Sequence, residues 1–328
     1  MKKLLCLMMA FILLLVGCCQ GQADENDKAD NIPEGENMGY DYYAIDMNTV
    51  FPLPTKLPAS EGERARVIIL IGQSNATGCS LTSYLKAGVS EEKYLEFENG
   101  YDNVLINFSL DNQKNTSGGE FLPVDLNCGA KDGYFGPEVG MAETLSDAFP
   151  NEKLFILKFS MSGYSLNYHW LYDGERASIY NAFLEFSSGY LDALTHLGYD
   201  VDVEAICWMQ GESDTTEFKA ARYYYNTEKL VSYLRSDLSE YADGDIYFID
   251  AGISSSPYCE PAFPTINKAK EDFAATSDLN IYFSTIDAGL TTLYEPEGQP
   301  DLGHYDALSE LQLGRMFGKE LTKILKEE

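Results

Sequence analysis

The sequence predicts an α/β fold, a three-layer α/β/α sandwich around a central, mainly parallel sheet. Two observations carry that expectation. Six short apolar runs show no polar alternation, as strands buried on both faces do: Val67–Ile71, Val104–Phe108, Leu154–Phe159, Val203–Met209, Ile246–Ala251 and Ile281–Ile286. Helical stretches are interleaved with them at Pro137–Ala148, Ser178–Leu197, Glu217–Tyr241, Thr265–Thr276 and Ala307–Lys326. Strands that alternate with helices build a parallel sheet covered on both sides.

The first residues stand apart from this pattern. Met1-Lys2-Lys3 is a basic start, and Leu4–Val16 is an apolar run too short to span a bilayer comfortably. It ends in Leu15-Val16-Gly17-Cys18, which resembles a bacterial lipoprotein signal. Residues 1–17 are then the signal peptide and Cys18 carries the lipid; an ordinary secretory signal is the alternative. Residues 18–39 read as an acidic flexible linker, because Gln20–Asn37 has too little apolar surface to offset ordering. Cys19, not aspartate, follows the lipidation site. By resemblance to bacterial sorting rules this places the protein in the cell envelope at the outer membrane, with its periplasmic or outward orientation open.

Residues 40–328 read as one domain. Tyr40–Pro58 is an aromatic, proline-bearing lead-in laid across its surface. Cys79–Gly133, rich in Gly, Asn, Ser and Lys, reads as a long excursion beside Ser74, of the kind that shapes a cleft.

The charge excludes some partners. With 52 acidic against 23 basic residues and a net charge of −29, neither nucleic acid nor an anionic membrane surface fits. Neutral glycans are compatible, and membrane contact is expected only through the lipid. The cysteines show no Cys-x-x-Cys spacing and no nearby histidines, so no metal and no cofactor is expected. Cys207 reads as a core residue, and pairing among Cys19, Cys79, Cys128 and Cys259 stays open.

Ligand sites of open α/β sheets lie at the carboxyl ends of the strands. Four segments fall there: Ser74, Ser162-Gly163, Gln210-Gly211-Glu212, and Asp301-Leu302-Gly303-His304 ahead of the last helix. A serine at the tip of a buried strand and an Asp-x-x-His pair are the parts of a nucleophile–base arrangement. Each has a plainer use. Ser74 can cap a helix, Asp301 can form a turn, His304 can start a helix, Gln210 and Glu212 can bond within loops, and Gly163 can serve the backbone. His169 and His196 are the competing bases. His196, late in a long helix, reads as a partly buried surface residue; His169-Trp170 has cleft lining and sugar stacking as one reading. Tyr223-Tyr224-Tyr225 reads as helix packing.

Three stretches, Gly72-Gln73-Ser74-Asn75, Trp208-Met209-Gln210-Gly211-Glu212-Ser213-Asp214 and Asp301-Leu302-Gly303-His304, resemble the SGNH (GDSL-like) hydrolases. Within them the chain is most similar to the sialate O-acetylesterase-like carbohydrate esterases of family 6 type. Phe135-Gly136-Pro137-Glu138 and Lys158-Phe159-Ser160-Met161-Ser162-Gly163 look like the family's middle block, and the likeness runs from Val67 to Leu325. It implies a flavodoxin-like SGNH fold and a serine carboxylic-ester hydrolase acting on acetylated carbohydrate. Ser74 is then the nucleophile, His304 the base and later the acid, and Asp301 the residue that orients it. The oxyanion hole comprises the N–H groups of Ser74 and Gly163 and the Gln210 side-chain amide, where other SGNH enzymes place an asparagine. Gln73, Asn75 and Glu212 are supporting residues, Glu212 anchoring the Gln210 or Asn75 loop. Two positions depart from the family: Ala76 stands where methionine is frequent, and Ser162-Gly163 where glycines are paired.

The expected function is a lipid-anchored carbohydrate O-acetylesterase. The small acyl group rests on the resemblance, not on a residue that measures the pocket. A glycan-binding lipoprotein with a vestigial site, and a lipase or thioesterase of the same fold, are the alternatives. The joint presence of Ser74, His304, Asp301 and Gln210 argues against the first; loops rich in Asn, Ser, Gly and Tyr argue against the second.

Overall fold

The computed structural model describes residues 51–326. The expected signal, the lipidation site at Cys18 and the linker 18–39 lie outside the described residues. Six parallel strands form the sheet: β1 (Arg64–Gly72), β2 (Tyr101–Leu110), β3 (Leu154–Ser160), β4 (Asp200–Met209), β5 (Tyr247–Ala251) and β6 (Asn280–Phe283). Their order is β6-β5-β4-β1-β3-β2. Asn115–Thr116 and Leu122–Val124 add short antiparallel segments on β2, so the sheet is mixed but mainly parallel. Each apolar run of the sequence lies in or overlaps one of the six strands. The central run Val67–Ile71 is wholly buried, as a strand flanked by two others and covered on both faces must be.

Register sets the height at which the loops leave the sheet. Gly72 of β1 pairs with Met209 of β4 on one side and Ser160 of β3 on the other, and Leu110 of β2 is level with Ser160. The segments that begin at Gln73, Gln210, Met161 and Asp111 therefore emerge side by side at the carboxyl edge.

The helices are α1 (Ser74–Thr77), α2 (Thr82–Gly88), α3 (Glu91–Asn99), α4 (Glu138–Ala148), α5 (Ser178–His196), α6 (Glu217–Leu238), α7 (Phe263–Ala274) and α8 (Ala307–Lys326). Helix α8 packs on α4 and α2 and reaches β4 and β5, while α5 lies against β3 and β4 and α6 against α7. The α4–α8 crossing is close because glycines meet there. A Cβ on Gly140 would stand 2.2 Å from Leu311 O, and one on Gly314 would stand 2.0 Å from Pro137 O. Beneath α5 an aromatic layer fills the core, with Trp170 edge-on to Trp208 at 5.0 Å and Phe159 against Phe183 and Phe186.

The lead-in from Phe51 is irregular and tied to the domain. Glu120 accepts from Thr55 Oγ1 at 2.6 Å and Lys56 N at 3.0 Å, and Tyr190 and Tyr199 donate to the carbonyls of Pro52 and Pro58. The stretch 79–133 differs from the single excursion expected. Helices α2 and α3 precede β2 there, and only the later part is a hairpin. In α3 only Tyr94 and Phe97 are buried among nine residues, too sparse a stripe to read as a helix from periodicity. Cys79 is disulfide-bonded, whereas Cys128, Cys207 and Cys259 are free and buried. Among the described residues no helix is long and apolar enough to cross a membrane.

Candidate active site

The serine turn starts at Gly72, whose φ is +152°. A Cβ there would lie 2.0 Å from Met209 O, so only glycine lets β1 end this close to β4. Gln73 N donates to Met209 O at 3.0 Å, and the chain then turns into α1 with Ser74 as its first residue. Being in a first helical turn, the Ser74 N–H has no intrahelical acceptor, and it bonds to no other group among the described residues. Ser74 is 6% exposed.

Asn75 joins this turn to two distant segments. Its Nδ2 donates to Glu212 Oε1 at 2.6 Å and to Gly303 O at 3.2 Å, and its Oδ1 accepts from Tyr305 N at 3.2 Å. The backbone groups on either side of His304 are thus bonded to the residue that follows Ser74. Ser80 Oγ adds a bond to Tyr305 O at 2.6 Å.

His304 Nδ1 lies 2.7 Å from Asp301 Oδ2, and Gly303 N donates to Asp301 Oδ1 at 3.1 Å. Burial alone would raise the Asp301 carboxyl, but the bond from His304, its charge and the Gly303 N–H outweigh it and hold the group below the usual carboxylate range. An ionised carboxylate only accepts, so the Nδ1 that faces it is the donor, and in the neutral ring this tautomer leaves the Nε2 lone pair free. Ser74 Oγ forms no hydrogen bond to His304 or to any other group among the described residues. Nucleophile–base bonds are commonly long until substrate arrives.

Gln210 corrects the sequence reading. It is wholly buried, and its Nε2 donates to Asp214 Oδ2 at 2.7 Å, Gln73 Oε1 at 3.1 Å and Tyr164 O at 3.3 Å. Both amide protons are engaged inside the protein, so this side chain is not a free oxyanion donor. It is a strut: Gln73 Oε1 also accepts from Ser213 N at 3.1 Å, which ties the serine turn to the loop after β4. Asp214 was missed although it lies in the same stretch. Its carboxylate takes Leu166 N at 2.7 Å and Asn167 N at 3.1 Å, so it holds the segment after Gly163 as well. The Tyr223 hydroxyl lies 3.0 Å from both Gln210 O and Oε1. Its tyrosine triplet therefore carries one bond into the site's support.

Gly163, by contrast, leaves its N–H free. Its φ is +80°, open space lies where a Cβ would point, and its N–H meets no acceptor among the described residues. His169 is no competing base. Its Nδ1 accepts from Ser165 N at 3.0 Å, and burial, then the Lys219 charge, push its pKa down to about 3. Trp170 is fully buried against Trp208, which removes it as a sugar platform. His196 is exposed at the end of α5, just before β4 begins at the opposite edge of the sheet.

The fold, a mainly parallel sheet between layers of helices, is of the SGNH esterase type. The structure is similar to the crystal structure of NanS (TM-score 0.59, 12% identity, 82% of this chain and 100% of that one). It is also similar to the crystal structure of a protein from Arabidopsis thaliana (TM-score 0.55, 17% identity, 79% and 98%). At these identities the likeness is one of fold. No curated protein matches the chain. Residues 64–323 match the family model described as carbohydrate esterase, sialic acid-specific acetylesterase, and the chain belongs to that family.

Proposed function

We propose that this protein is a lipid-anchored carbohydrate O-acetylesterase that works through an acetyl-enzyme on Ser74. Asn75 carries the reading: it bonds both backbone groups that flank His304. Ser74 Oγ attacks the acetyl carbonyl while His304 Nε2 takes its proton, and Asp301 stabilises the imidazolium. The oxyanion of the tetrahedral intermediate meets the Ser74 and Gly163 N–H groups. His304 then protonates the departing sugar oxygen, and water, deprotonated by the same imidazole, releases acetate from Ser74. Lipid on Cys18, with residues 18–39 as a leash, holds the domain at the outer membrane of the cell envelope.

Purified soluble domain is expected to release acetate from p-nitrophenyl acetate, with Ser74→Ala at background. Equal turnover by the two proteins would remove Ser74 from the mechanism. Radiolabelled palmitate incorporation that persists in Cys18→Ala would remove the anchor. A panel of acetylated glycans identifies the sugar.

A further inference from the structure

Asp111 stands one residue beyond β2, at the carboxyl edge, and its N–H donates to Ser160 O at 3.0 Å. Its carboxylate grips the residue before Gly163 at two points. Ser162 N donates to Oδ1 at 2.6 Å and Ser162 Oγ to Oδ2 at 3.0 Å. The same Ser162 Oγ lies 3.3 Å from Thr77 Oγ1, the last residue of the serine turn, and Thr77 Oγ1 is 2.7 Å from Ser160 Oγ. A short polar chain therefore runs from β2 through Ser162 to α1.

The backbone that presents Asp111 is unusual. Asp111, Asn112 and Gln113 have φ values of 48°, 55° and 63°, three successive non-glycine residues in the left-handed region. The turn is closed by pairing of Leu110 with Asn115, and Asn112 N donates to Met161 Sδ at 3.1 Å. Such strain persists where surrounding structure enforces it, and it concentrates at functional sites. Gly163 itself has no side chain to hold it and no ladder bond on its N–H. Its orientation is inherited from Ser162.

We infer that Asp111 is a positioning residue for the oxyanion hole: through its two bonds to Ser162 it aims the Gly163 N–H at the developing negative charge. This rests on the Ser74 mechanism above. A donor displaced from the oxyanion weakens the transition state and leaves ground-state binding nearly alone.

The test is steady-state kinetics on p-nitrophenyl acetate with Asp111→Ala, Asp111→Asn and Ser162→Ala, each checked for folding by thermal melting. Asp111→Ala is expected to lower kcat by about 10–100-fold with KM within about threefold. Asp111→Asn keeps an acceptor for Ser162 N and offers its own N–H to Ser162 Oγ, so it should recover to within about threefold of wild type. Ser162→Ala loses one bond of two and should lower kcat by about threefold or more. Should Asp111→Ala fail to fold, Ser162→Ala decides. Wild-type kcat in Ser162→Ala or folded Asp111→Ala overturns the inference, as does a loss confined to KM. Asp111→Asn as impaired as Asp111→Ala overturns it too. An active wild type with a dead Ser74→Ala and an unimpaired Asp111→Ala sinks this inference alone. Equal turnover by wild type and Ser74→Ala sinks the mechanism beneath it.

Discussion

Asn75 uses both ends of one amide to bond Gly303 and Tyr305, more than two hundred residues along the chain. With its neighbours so held, His304 is oriented by Asp301 at 2.7 Å. Asp301 has a side chain 47% exposed, so water can share its work, while in the proposed mechanism His304 has no substitute for moving the serine proton. His304→Ala should therefore lower kcat on p-nitrophenyl acetate by ~10³–10⁶-fold, as Ser74→Ala should. Asp301→Asn, which favours the wrong tautomer, should lower it by ~10²–10⁴-fold. Full activity in Asp301→Asn would reduce that residue to a turn former.

A buried ion pair between β3 and α4 supports the serine turn. Lys158 Nζ, fully buried, pairs with Glu138 at 2.5 Å and donates to Thr77 O at 2.9 Å and Cys128 O at 2.8 Å. Nearby on α8, Glu310 is fully buried, and neither carboxyl oxygen has a hydrogen-bond partner among the described residues. Burial first, then the Glu138 charge, pushes its pKa well above the ordinary value, against the opposing pull of Lys158. Below about pH 4 both the folded and unfolded chains carry this proton. As pH rises, the unfolded chain releases it and the folded one retains it, so stability falls by up to about 1.4 kcal/mol per pH unit until the folded group ionises. Glu310→Gln has no proton to lose. Its melting temperature should match wild type near pH 4 and exceed it by a margin that widens as pH rises above the ordinary carboxyl range; a margin that stays constant with pH would show that Glu310 is charged in the folded protein.

Over the whole molecule the net charge of −29 surrounds a site whose proposed chemistry needs no cation. A field of one sign repels anionic substrates, and salt screens it over about 8 Å at physiological ionic strength. KM for an acetylated sugar that carries a carboxylate should therefore fall as ionic strength rises from about 0.01 to 0.15 M, while KM for a neutral acetylated sugar stays flat. Parallel salt dependence for the two substrates would point to cationic side chains in the site that oppose the global field.

Much of this architecture was legible in the chain because strand burial leaves a local mark. Val67–Ile71 is apolar at every position, as burial on both faces demands. A serine beyond it and an Asp-x-x-His ahead of the last helix stood out because reactive groups cluster where parallel strands end. Helix α3 was hidden because two buried aromatics in nine residues make no periodic signal. Gln210 was misjudged for a different reason. Whether an amide is free to donate depends on which partners the fold brings to it, and Gln73 lies 137 positions away. Asp111 belongs to no motif of the sequence, and it becomes a partner of Ser162 only because β2 and β3 lie side by side with Leu110 level with Ser160. Composition and periodicity determined the sheet, its five longer helices and the reactive residue types, since each depends on near neighbours in the chain. Hydrogen-bond saturation depends on neighbours in space, so only the tertiary structure decided which polar groups were left free to do chemistry.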